Sequence, residues 1–69
     1  MEKYKEHQTF ELSKDLNEVI RKGMIGVLLV IYNQNAFEVE FVKKDGTNYE
    51  FNGNSTFTID NSYILKLLH

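Results

Sequence analysis

At 69 residues the chain has room for one domain, and a domain near this size buries only about 60% of the surface its unfolded chain exposes. The absence of cysteine excludes a disulfide framework and a thiolate zinc site, leaving core packing or a partner to hold the fold. A net charge of −2 argues against a dedicated nucleic-acid binder, which carries a basic excess. Neither Met1–Glu6 nor the longest apolar stretch, Val27–Tyr32, has the length of a signal or membrane-spanning segment, so the expected location is the cytoplasm.

Residues 1–8 are polar and charged and are expected to form a flexible segment ahead of a single domain over 9–69. Thr9-Phe10-Glu11-Leu12 alternates and reads as a short strand. Ser13 stands where it would cap a helical turn over Asp15–Ile20, with Leu16, Val19 and Ile20 on one face; an irregular loop over 14–20 is the alternative. Met24–Tyr32 is a Val/Ile/Leu-rich strand, with Gly26 marking a bulge or sharp coil. Both of its faces are apolar: Ile25, Val27, Leu29 and Ile31 on one, Met24, Leu28, Val30 and Tyr32 on the other. Which one points inward stays open.

Asn33-Gln34-Asn35 is a turn, and Ala36–Val42 alternates Phe37, Val39 and Phe41 against Glu38 and Glu40. A two-residue Asp45-Gly46 turn would put Glu50 opposite Phe41, a charge on the core face. A three-residue Lys44-Asp45-Gly46 loop with Gly46 left-handed instead pairs Phe41 with Tyr49 and Val39 with Phe51. Asn52–Ser55 is a loop, Thr56–Ile59 a strand, Asp60–Ser62 a tight turn, and Tyr63–Leu68 a final strand or helical turn. Short strands joined by tight turns indicate an all-β fold, a small closed or nearly closed barrel.

The run Lys22-Gly23-Met24-Ile25-Gly26-Val27-Leu28, with Ala36-Phe37-Glu38-Val39-Glu40-Phe41-Val42 and Asp45-Gly46-Thr47, resembles a family of bacterial proteins of about this length known only as a domain of unknown function. The resemblance covers roughly Phe10 to Leu67, and Val27 and Val30 depart from it where a threonine and a charged residue are expected. It implies a five-stranded SH3-like barrel, related in shape to KOW domains and to the small barrel of the nitrile hydratase β-subunit. It brings no catalytic residue and no cofactor. Some such proteins look to be encoded beside toxin-like or nuclease-like genes, which implies an antitoxin or immunity role.

On the three-residue register, Glu40 and Glu50 face each other on the outer sheet face, with Glu38 two residues away. These carboxylates, with Val27, Val30 and Tyr32, are the candidate partner-binding residues: charge to steer a basic protein, apolar groups to anchor it. Neutralisation by Lys43 or Lys66 is the plainer reading of the acidic face. Catalysis and metal binding are not expected, because an open sheet face does not shift a carboxylate toward neutrality and His7 and His69 stand at opposite ends. A basic rim of Lys14, Arg21, Lys22, Lys43 and Lys44, with Tyr32 or Phe37 stacking a base, would suit a KOW-like nucleic-acid module. The expected function is thus a non-enzymatic inhibitor, monomeric or homodimeric, that occludes a basic toxin or nuclease-like partner. The alternatives are that nucleic-acid module or a non-catalytic subunit of a larger enzyme.

Overall fold

A computed structural model describes residues 3–68. Its five antiparallel strands form one sheet in the order β4-β3-β2-β1-β5: β1 (Thr9–Leu12), β2 (Ile25–Asn33), β3 (Ala36–Phe41), β4 (Phe57–Ile59) and β5 (Ile64–Leu67). A single 3-10 turn, Asn61–Tyr63, joins β4 to β5, and this order and connection make the domain an SH3-like barrel. The curl shows in the core rings. Phe41 of β3 lies 5.9 Å from Phe10 of β1 and 6.1 Å from Phe57 of β4. Around them Leu12, Ile20, Leu28, Phe37, Val39 and Ile59 complete the buried core. No helix among the described residues is long and apolar enough to cross a membrane.

At Gly26 the Phe10 ring of β1 and the Phe41 ring of β3 close over β2. Gly26 pairs with Phe10 on one side and Phe41 on the other, in unbroken register. Of the bulge or sharp coil expected at Gly26, the bulge is absent; a glycine is needed there because both rings lie over its Cα. A Cβ would stand 2.6 Å from Phe10 Cζ and 2.8 Å from Phe41 Cε1.

The bulges fall further along β2. Leu28 pairs with Val39 and Val30 with Glu38, so Leu29 is one residue extra; Ile31 pairs with Phe37 and Asn33 with Ala36, so Tyr32 is another. Each extra residue reverses which side chains face inward. Met24, Gly26 and Leu28 face the core before the first bulge and Ile31 packs on it afterwards, while Ile25, Val27, Val30 and Tyr32 remain outside. The two apolar faces of the sequence pattern are thus one interior face and one exterior face, exchanged midway.

The helical turn expected near 14–20 is not formed. The Leu16 and Asn17 N–H groups both donate to Ile20 C=O, the reverse of helical polarity, and Asn17 Oδ1 accepts the Val19 and Ile20 N–H groups at 2.8 Å each. This side-chain competition for backbone donors opposes a helix. Ser13 is not a cap: its N–H donates to Tyr63 C=O and its hydroxyl to Ser62 C=O, tying the loop to the 3-10 turn. Ile20 then enters the core as a plug.

The second hairpin follows the expected register only at its tip. Gly46 is left-handed, Val42 pairs with Asn48, and the Tyr49 N–H donates to Phe41 C=O. Beyond that the chain leaves β3, and Val39 pairs with Phe57 rather than Phe51. The cause is local. Asn52 and Gly53 are both left-handed, with φ of 53° and 79°, and Phe51 and Asn54 exchange two backbone hydrogen bonds around them. That is a two-residue hairpin of the Asn-Gly type, which turns Phe51 back on its own loop.

Residues 3–8 lie against the barrel, with Tyr4 edge-on to Phe37 at 4.7 Å and the His7 N–H donating to Leu28 C=O. Met1, Glu2 and His69, assigned by sequence to terminal segments, lie outside the described residues.

Two Gly-to-Ala changes separate two kinds of cost. Gly26→Ala, forced against two rings, should lower stability by about 2–3 kcal/mol, and adding Phe10→Leu should recover part of that loss. Gly53→Ala meets nothing within 4 Å and should cost about 1 kcal/mol from backbone conformation alone. Urea denaturation of the four proteins checks this; equal losses for the two single variants would refute the ring-contact argument.

Candidate functional site

The outer face of β2 and β3 gathers five of the six residues singled out in the sequence. Across the two strands Val27 pairs with Glu40 and Val30 with Glu38. Tyr32 reaches the same carboxylate, its hydroxyl donating to Glu38 Oε1 at 3.4 Å. Ile25, which the sequence reading left out, extends this row at its start and pairs with Glu11 of β1. Exposure reaches 47% at Ile25, 40% at Val30 and 57% at Tyr32, while Val27 is half-buried. The signal for Ile25 was present as strand parity: it shares a face with Val27 and precedes the bulge.

Glu50 does not join them. The ladder ends before it, and on the far side of Glu38 stands Thr58 of β4. The expected Glu40–Glu50 opposition is replaced by neutral partners. Glu40 accepts a hydrogen bond from Asn48 Nδ2 at 3.0 Å, and Glu38 one from Thr58 Oγ1 at 2.7 Å.

No described cation pairs with either carboxylate. Lys66 lies 3.8 Å from Glu11, and Lys43 sits over the Tyr49 ring at 5.4 Å. The neutralisation by Lys43 or Lys66 that the sequence allowed is absent. The face is therefore charged asymmetrically: two half-buried carboxylates with neutral partners along β3, and an ion-paired glutamate along β1.

A family model described as a domain of unknown function, DUF4926, matches residues 6–53. The chain belongs to this family. The DUF4926 match holds β1, β2, β3 and the Asn52-Gly53 turn, hence the whole candidate face, and ends before β4 and β5. No curated protein and no solved structure matches the chain.

The remaining candidates of this DUF4926 chain are dispersed. Arg21 pairs with Asp15 at 3.0 Å, Lys14 lies over the Tyr63 ring at 4.4 Å, and Phe37 is fully buried. Phe37 therefore cannot stack a base, and of the two aromatic groups proposed for that role Tyr32 alone is exposed. Among the described residues no polar or charged side chain is buried, and no three His, Cys, Asp or Glu side chains come together as a metal site. An open cleft of about 520 Å³ lies between residues 3–6 and 31–34, at the far end of the row from Ile25.

Three aspartates shape loops rather than a site. Hydrogen bonds from the Ser62 hydroxyl and N–H, helped by Lys14, hold the Asp60 carboxyl below its ordinary 3.8. Thr47 does the same for Asp45, and the Lys22 N–H, with Arg21, for Asp15. A lowered folded pKa contributes stability above the unfolded value and loses it as pH falls through the folded one. Acidification from about pH 5 to pH 2 should therefore lower the urea midpoint. Ser62→Ala should flatten that dependence, and an unchanged slope in that variant would remove Asp60 from the account.

Proposed function

We propose that this DUF4926 chain is a non-catalytic protein-binding module that occludes a basic partner, in the manner of an immunity protein or antitoxin, through the outer face of β2 and β3. The observation that carries the reading is the outward row of exposed Ile25, Val30 and Tyr32 with half-buried Val27, bordered by Glu38 and Glu40, which have no described cation within ion-pair distance. An apolar strip with a charged border on a small domain has the composition of an interaction surface. Desolvated apolar groups supply the anchor, and the uncompensated carboxylates favour a partner of opposite sign and speed its approach. Catalysis finds less support, because general acid–base work needs a carboxylate desolvated in a pocket, and every described carboxylate is at least partly exposed.

The test is quantitative capture from the cells of origin with the tagged chain and two double variants. Ile25→Thr/Val30→Thr keeps the branched shape that suits a strand while removing apolar surface. Glu38→Gln/Glu40→Gln keeps the hydrogen-bond acceptors while removing charge. The expected result is one stoichiometric basic protein whose recovery falls about tenfold or more with either variant, with both melts within a few degrees of the parent. Equal recovery with all three chains would overturn the reading, and co-eluting RNA that is lost at high salt would replace it with nucleic-acid binding.

A further inference from the structure

Resting on that reading, we infer that the occupant of this face is an amphipathic helix of the partner, about four turns long, with lysine or arginine on one flank only. The row from Ile25 to Tyr32 covers seven steps of ~3.3 Å, shortened by its two bulges to about 20 Å. A helix rises 1.5 Å per residue, so about 14 residues match that length. A strip this narrow is well short of the ~800 Å² that each partner buries in a standard interface. One helix fits it better than a second copy of the domain.

Backbone chemistry favours a helix over an extended segment along the Ile25–Leu28 half of the strip. There it offers side chains and no open ladder edge, because β1 pairs with Ile25–Val27, residues 7 and 8 bond to Leu28, and β3 pairs on the other side. A strand laid face-on would bring unsatisfied N–H and C=O groups onto Ile25, Val27 and Val30, whereas a helix satisfies its own. Helix on sheet is also one of the standard layer pairings.

Charge fixes the orientation. Glu38 and Glu40 stand two residues apart along β3, about 6.6 Å. Residues i and i+4 of a helix rise 6 Å and share one face, so two basic residues at that spacing meet both carboxylates. On the opposite border Glu11 already has Lys66, and the neighbouring outward residue is Thr9. A second basic flank would gain little there. The helix therefore lies with its basic side over β3 and a neutral side over β1.

Isotope-labelled protein titrated with two synthetic peptides of about 16 residues tests this. Both carry the same leucine stripe; one has lysines at i and i+4 on a single flank, the other has glutamates there. The lysine peptide should shift the amides of residues 25–32 and 38–40. Its dissociation constant should rise about tenfold on Glu38→Gln/Glu40→Gln and stay unchanged on Glu11→Gln. Equal affinity for the glutamate peptide, equal weakening by Glu11→Gln, or no shifts on this face would each overturn the inference. None of these touches the broader reading, which stands or falls on whether cellular capture depends on Ile25 and Val30.

Discussion

The contact of Phe10 and Phe41 across Gly26 is the constraint on which the rest of the barrel depends. Their rings meet edge-on at 5.9 Å directly over a residue with no side chain, drawing β1, β2 and β3 into one curved wall. A phenylalanine buried in this way contributes on the order of 1.5–3 kcal/mol from area alone. Leu12, Ile20, Leu28, Phe37, Val39 and Ile59 add burial of the same order, and among the described residues no disulfide and no buried polar group contributes. Glycine elsewhere in a strand is a weakness; here its missing Cβ is the space the two rings occupy.

Fixing that row also fixes the outer face. With Gly26 and Leu28 turned inward, Ile25 and Val27 must point out, and a single extra residue at Leu29 lets Ile31 rejoin the core while Val30 and Tyr32 stay outside. The bulges therefore decide which apolar residues stand beside Glu38 and Glu40: Val30 and Tyr32 in place of Leu29 and Ile31. The strip and the core share one cause. A change that removed the Leu29 bulge would turn the C-terminal half of β2 over, disturbing packing and surface together.

The loops carry the polarity that the sheet leaves out. Asp15, Asp45 and Asp60 each accept backbone or hydroxyl donors within their own turns, and Asn17 and Asn33 do likewise. The Asn17 bonds compete with helix formation over residues 16–20, whereas the Asp60 carboxylate caps the 3-10 turn Asn61–Tyr63. The long β1–β2 loop is held at both ends and plugged in the middle. Ser13 is bonded to the 3-10 turn, Ile20 lies in the core, and the Gly23 N–H donates to Leu12 C=O.

The features legible in the chain alone are mostly local. The period-two alternation of Thr9–Leu12 and Ala36–Phe41, the shared face of Glu38 and Glu40, and the left-handed Gly46 follow from strand parity and turn chemistry, whereas Val27 and Val30 share a face only through the bulge at Leu29. Asn52-Gly53 is an equally local signal for a two-residue hairpin, and that hairpin takes Phe51 and Glu50 out of the β3 ladder. The inward face of β2 was decided only by tertiary structure, because every residue from Met24 to Tyr32 apart from Gly26 is apolar and parity then carries no information. The bulges that choose among them exist to seat Ile31 beside Phe37 and Leu28 beside Val39, pairings with a strand the local pattern cannot see. The same holds for residues 14–20, whose helical spacing gave way to long-range bonds from Ser13 and the burial of Ile20.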